Sequence, residues 1–352
     1  MEWGVFLCAA QPPGTVAKDV LSNSTAYAVA AEKMGFSHAW VLEHHFTRYG
    51  LVGSALTQAA FILGKTKNLK VGTAIQVVPL AHPVRLAEDV ALIDQMSGGR
   101  LMFGIGRGAF VKDFTVFDVD MTKSRELTGE WYDIMRAAWT EGRCSASTDN
   151  IRFPEVEIFP EPLTRPHPPV YSVAQSPESI EFAAKRGMPM ILDFALSDEE
   201  IVDRLEHYAI AAESAGLDPS AASHVATFIA GVDRDGERVR KASLDHLVWW
   251  CDEFFRASEM FKPGVKISGY EWHQRQYEQR VLNGERDMRD ALPKVMKKSP
   301  IGTPQECIDK LARTKELTGI TKIALGFEAL INRTAVLDSM QLFAEEVMPH
   351  LA

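Results

Sequence analysis

The chain has 352 residues, with 38 Lys and Arg against 47 Asp and Glu and a formal charge of −9, a balance that excludes a general nucleic-acid binder. Its 46% hydrophobic and 24% charged residues are an ordinary globular composition, which excludes intrinsic disorder. No run approaches about 18 uncharged apolar residues, and the start MEWGVFLCAAQPPG lacks the basic segment of an export signal, so a cytoplasmic protein without a membrane span is expected. Cys8, Cys144, Cys251 and Cys307 are far apart with no CxxC pair, which predicts reduced, mostly buried thiols rather than a disulfide framework or a structural zinc site.

In chain order, eight short apolar runs read as buried strands, each followed by helical patterning: Trp3–Leu7, His38–Leu42, Leu69–Thr73, Leu101–Ile105, Val170–Val173, Met190–Leu192, His224–Val232 and Ile320–Phe327. Ser24–Met34 and Pro83–Met96 carry the spacing of outer helices, the second through Val84, Ala87, Val90, Ala91 and Ile93. Ser176-Pro177, Ser197-Asp198-Glu199-Glu200 and Thr303-Pro304-Gln305-Glu306 read as helix starts, each a hydroxyl followed by Pro or by Glu three residues on. Eight strand–helix repeats predict an α/β fold, a (β/α)8 TIM barrel, which needs about 250 residues and leaves roughly 100 for insertions. Two insertions are expected: a proline-dense, irregular excursion over Cys144–Pro169, and Ala257–Ser299, a mixture of charge, glycine and aromatics placed to act as a lid. No linker or composition shift divides the chain, so 1–352 reads as one domain.

Barrel chemistry sits at the carboxyl ends of the strands. Those ends are polar here: Glu43-His44-His45-Phe46 after the second, Ala74-Ile75-Gln76 after the third, Gly106-Arg107-Gly108 after the fourth, Ala174-Gln175-Ser176 after the fifth and Glu328 after the eighth. His44 and His45 are adjacent on an extended segment, so only one can face the barrel mouth, and either reads equally as a packing residue. They lack the i, i+4 spacing of a helical zinc site, and no metal is expected. Gly104-Ile105-Gly106-Arg107-Gly108-Ala109 matches a dinucleotide fingerprint in form, but Phe110–Phe117 alternates and reads as extended where that motif needs a helix; the glycines instead allow close approach to something flat. Arg107, together with Ser176 and Ser179 at a helix start, suits a phosphate. That leaves a phosphorylated flavin or pyridoxal phosphate, and the absence of a strand-end Lys disfavours the latter.

These residues carry a resemblance to a known family. LEHHF (Leu42–Phe46), VGTAIQVVPLAHPVRLAEDVALIDQMSGGR (Val71–Arg100), FGIGRG (Phe103–Gly108), KDFTVF (Lys112–Phe117), TKSREL around Arg125, YSVAQS (Tyr171–Ser176), GMPMIL (Gly187–Leu192), GTPQECID (Gly302–Asp309) and GFEA (Gly326–Ala329) resemble, in one register, the bacterial luciferase-like, reduced-flavin-dependent monooxygenases. The resemblance implies a barrel that binds FMN as FMNH2, forms a flavin C4a-peroxide with O2 and oxidises an organic substrate, in the luciferases a long-chain aldehyde to the acid. It places Arg107, Arg125, Ser176 and Ser179 on the flavin phosphate, the ring against a cis Ala74–Ile75 bond and near Val173 and Gln175, and His44 as the acid–base residue. Around it Glu43, His45, Phe46, Asp113, Phe114, Phe117, Phe194, Trp250, Phe261 and Glu328 would form the substrate pocket and its support. A separate flavin reductase and a homodimer or a heterodimer with a related barrel are also implied. So is a full-length lid, which the luciferase alpha chains have and the beta chains shorten. Hydroxylation or Baeyer–Villiger oxidation of a natural product, or a deazaflavin-dependent dehydrogenase on the same barrel, are the alternatives. The chain departs from the family pattern at Gly106, where many luciferase alpha chains carry cysteine, at Ile75 for a smaller Ala, at Gln175 for Glu, and at Asn283 and Arg286 for lid lysines.

Overall fold

A computed structural model of the chain describes residues 1–262, 264–282 and 288–351, so Asn283, Gly284 and Arg286 of the expected lid lie outside the described residues. Eight parallel strands, β1 (Glu2–Leu7), β2 (His38–Val41), β3 (Lys70–Thr73), β4 (Leu101–Gly106), β5 (Val170–Val173), β6 (Met190–Leu192), β7 (Val225–Ile229) and β8 (Lys322–Gly326), pair successively in chain order. β8 then pairs with β1, from Glu2 opposite Lys322 to Val5 opposite Leu325, and the (β/α)8 barrel closes as expected. Around it run α1 (Ala17–Lys33), α2 (Ala55–Leu63), α3 (Pro83–Ser97), α4 (Val111–Val116), α5 (Ser124–Glu141), α6 (Pro177–Ala184), α7 (Asp198–Ser214), α8 (Gly236–Ser258), α9 (Glu271–Leu282), α10 (Met288–Lys297), α11 (Pro304–Thr318) and α12 (Arg333–Glu346).

The strands are mostly apolar because both faces are covered along most of their length, with exposed Glu2 and Lys70 confined to the starts of β1 and β3. Trp3, Val5 and Leu7 of β1 join the main core with the helices, while Phe6 joins a second cluster with Trp40, Met102, Tyr171, Ile191 and Val225 inside the barrel. Trp40 fits there because residue 72 is glycine: a Cβ at Gly72 would stand 2.3 Å from the indole. Ser176, Ser197 and Thr303 cap α6, α7 and α11, each in a capping box. None of the cysteines forms a disulfide; Cys144 and Cys307 are buried, Cys8 and Cys251 half-buried. No helix among the described residues is long and apolar enough to cross a membrane.

Four expectations need correction. α1 begins at Ala17 rather than Ser24, because its first turns are mostly solvent-exposed and carry no apolar spacing. The excursion after β4 is not irregular throughout: Arg143–Ser147 and Arg152–Glu157 form an antiparallel hairpin whose short, mostly exposed strands give no apolar signal. The seventh strand is broken at Ala230, after which Gly231–Val232 pairs with Ile301–Gly302 outside the barrel. Finally, Phe110–Phe117 is not extended but contains α4, since Phe110 and Phe114, four residues apart, are both buried. One ground against the dinucleotide fingerprint therefore falls; what stands against it is that the helix opens only at Val111, beyond the left-handed Gly108, and runs six residues.

Candidate functional site

Two connections at the carboxyl rim of the barrel, those after β2 and β3, are tied together by Glu43. Its buried carboxylate accepts hydrogen bonds from Gln76 Nε2 (2.8 Å) and the backbone N–H of Val77 (2.9 Å), both just after β3, and from the N–H of Ala55 (3.0 Å), which opens α2. Charge-assisted bonds of this kind are about twice as strong as neutral ones. Between them lies the Ala74–Ile75 bond, which is cis, as the resemblance implied.

His44 and His45 diverge, as neighbours on an extended segment must. His44 lines the rim cavity, stacked on Phe110 at 4.8 Å and edge-on to Tyr49 at 4.8 Å. Burial, and after it the charge on His45, push His44 down to about 3, so the imidazole is neutral at physiological pH. His45 instead packs on Phe117 at 4.9 Å, with Nε2 3.8 Å from Glu43 Oε1; burial opposes its charge, yet Glu43 and Asp113 together raise its pKa. Asp113, in the first turn of α4, also lines the cavity. Its Oδ1 is buried without a hydrogen-bond partner among the described residues, and burial first of all, then Glu43, hold the carboxyl up at about 7 against the pull of His45.

The same cavity has an apolar wall and a cationic end. Ile75, Val77 and Val173 form the wall. Gly106 lies behind it, where a Cβ would come within 2.3 Å of Ile75 Cδ1 and 3.0 Å of Val173 Cγ1. At the other end Arg107 lies 3.9 Å over the ring of Tyr270 and donates from Nη1 to the Gly269 carbonyl at 2.6 Å; Arg125 reaches the same carbonyl at 3.4 Å and Glu178 at 3.5 Å. Tyr270 is itself held by hydrogen bonds to the Gly108 carbonyl (2.8 Å) and Ser124 Oγ (3.0 Å). Gln175, Glu178 and Ser179 line this end from the start of α6, whereas Ser176 is fully buried and caps that helix from behind.

Other expected residues lie elsewhere. Phe46 and Phe117 are exposed and pack on His45. Phe114 is buried beside Gly108. Phe194, Trp250 and Glu328 line a second, smaller cavity, where Glu328 accepts from the N–H groups of Cys8 and Ala9 and burial holds its carboxyl at about 7 despite them. Phe261, within the expected lid segment, packs on Phe255 and Tyr277. Among the cavity residues that sequence reasoning missed are Val77, Phe110, Glu178, Phe254, Tyr270 and His273. Phe110 and Glu178 stand next to motifs and were within reach of a closer reading; Tyr270 and His273 follow no strand and carry no local signal.

One cavity thus joins an apolar wall to a pair of guanidinium groups, with a neutral imidazole at its edge. A sequence profile of the family described as luciferase-like monooxygenase matches residues 1–322. The alkanal monooxygenase alpha chain of the Kryptophanaron alfredi symbiont is 41% identical, covering 100% of this chain and 98% of its own length. The alkanal monooxygenase beta chain of Photobacterium leiognathi is 26% identical over 100% of both. Among solved structures, a monooxygenase from Streptomyces bottropensis superposes with a TM-score of 0.84 at 26% identity, covering 100% of both chains. The oxygenating constituent of a 3,6-diketocamphane monooxygenase from Pseudomonas putida, a type II Baeyer–Villiger enzyme in complex with FMN, does so with a TM-score of 0.76 at 17% identity, covering 99% of this chain and 98% of that one.

Proposed function

The chain belongs to the luciferase-like monooxygenase family, and on that premise we propose that it is the oxygenating component of a two-component system. It takes reduced FMN from a separate flavin reductase and uses O2 to oxidise a long-chain aldehyde to the acid, as one barrel of a homodimer or of a heterodimer with a related barrel. The observation that carries this reading is the joining, in one cavity, of the apolar wall at Ile75, Val77 and Val173 to the guanidinium groups of Arg107 and Arg125, with His44 at the edge. Asp113 Oδ1, buried and unpartnered on that cavity, leaves one polar atom for a bound molecule to satisfy.

When bound, reduced flavin supplies the electrons that activate O2 for transfer of one oxygen atom to the substrate. The chain's own residues do the rest. Arg107, Arg125 and Ser179 would hold the phosphate, with Gln175 and the capped start of α6 beside them. The Ala74–Ile75 peptide and Val173 would flank the ring. A neutral ring nitrogen of His44 takes and returns a proton. Phe110, Phe254 and Tyr270 wall off water, which would otherwise discharge the activated oxygen.

The reading is tested by comparing ligands and oxygen dependence. Arg107→Ala should bind FMN at least ~10-fold more weakly and riboflavin almost unchanged; His44→Ala should keep FMN and lose turnover by ~10²-fold or more. Admitting O2 to the anaerobically reduced complex should give a transient absorbance, and aldehyde should then be consumed, with photon counting to read any light. Turnover of an alcohol with oxidised deazaflavin in the absence of O2 would overturn it.

A further inference from the structure

The lid contributes an ionisable side chain to the cationic end of the cavity. His273 of α9 is half-buried there, and its Nδ1 lies 3.4 Å from Arg107 Nη2. A guanidinium only donates, so Nδ1 accepts and carries no proton in this arrangement. The charged groups acting on it come from three elements: Arg107 from the end of β4, Arg125 from α5 and Glu178 from α6, whereas Glu271 of α9 itself is turned back onto the N–H of Gly269 at 2.9 Å. Tyr270 and Trp272 flank the ring at 6.0 and 5.0 Å. Burial, then Arg107 and Arg125, hold the imidazole down at about 4 against the opposing pull of Glu178.

We propose that His273 is the third member of the phosphate site and that docking of a dianionic phosphate on Arg107 and Arg125 protonates it. This rests on the reading of the ligand as a phosphorylated flavin. Without the ligand, burial disfavours the imidazolium, and two guanidinium charges that outweigh the Glu178 carboxylate add to it, so a third cation is kept out. A dianion placed against the same guanidinium groups leaves that shell with a net negative charge, and the field at the imidazole reverses sign. At the same time the Arg107 Nη2 hydrogen turns from Nδ1 to a phosphate oxygen, and Nδ1 takes a proton from solvent. No other bond changes. The imidazolium then donates to the phosphate side of the site, so the lid helix that carries it is drawn onto the bound tail.

Calorimetric titration of the full chain with FMN at pH 7, in buffers of differing ionisation enthalpy, counts the protons moved. Wild type should take up at least half a proton more per FMN than His273→Asn. FMN should also bind more tightly to wild type as pH falls from 8 to 6, a trend that the variant lacks. Riboflavin should move no protons in either protein and bind both alike, which also shows that the variant has kept its cavity. Equal proton counts for wild type and variant would overturn the role of His273. Equal affinity of wild type for FMN and riboflavin would instead remove the phosphate reading beneath it.

Discussion

Two departures from the family pattern, Gly106 and Ile75, are visible in the sequence as separate oddities and become one feature in the structure. The space that a side chain at 106 would enter is filled by Ile75 Cδ1, with Val173 Cγ1 closing the remainder. Bulk has moved from one strand end to the next, and the apolar wall keeps its volume. Gly106→Cys alone overpacks the wall and should cost about 1–3 kcal/mol. The double variant with Ile75→Ala should recover most of that, so urea denaturation of the four proteins yields a coupling energy of about 1 kcal/mol or more. Additive effects would show that the two positions do not share this space. Sequence alone could list both residues; their contact belongs to the closed barrel, which brings β3 and β4 together.

At the scale of elements, legibility followed burial. β1 to β8 were readable because strands covered on both faces are continuous apolar runs, and α6, α7 and α11 because a hydroxyl and its partner three residues on write the start locally. α4 and the 143–157 hairpin were misread since one is too short to show a period and the other too exposed to show an alternation. The role of Glu43 was hidden for a different reason: its three donors come from Ala55, Gln76 and Val77, and nothing near residue 43 announces them. That carboxylate joins the end of β2 to the start of α2 and to the turn after β3. Glu43→Ala should therefore leave buried donors unpaired and lower stability by about 3 kcal/mol or more. It should also weaken flavin binding, because the Ala74–Ile75 peptide loses its anchor. A Tm and an FMN affinity equal to those of wild type would refute the link.

For the molecule as a whole, buried ionisable groups oppose one another across the acidic range. His38 and His44, at about 3, and His224, His246 and His273, at about 4, are neutral in the fold but charge near 6.5 in the unfolded chain, so the stability they contribute is present above pH 6.5 and is lost as pH falls. Asp113 and Glu328, at about 7, act in the other sense. Between about pH 4 and 7 the folded protein holds their protons while the unfolded chain has released them, and stability falls as pH rises through that window. Removing one acid isolates its share. Asp113→Asn should be more favourable relative to wild type at pH 8 than at pH 5, read from urea midpoints at constant slope; a difference independent of pH would mean that Asp113 titrates normally in the fold.

The pairing of β8 with β1 has a further consequence, for synthesis. Glu2–Leu7 finds one of its two neighbours only in Lys322–Gly326, more than three hundred residues later. While the chain is still emerging from the ribosome, the first strand and Val225–Ile229 each present an unsatisfied edge, the kind of surface that invites pairing with other nascent chains. Completion of the cylinder is thus a late event, and yield in the cell depends on how well those two edges are sheltered until the eighth strand arrives.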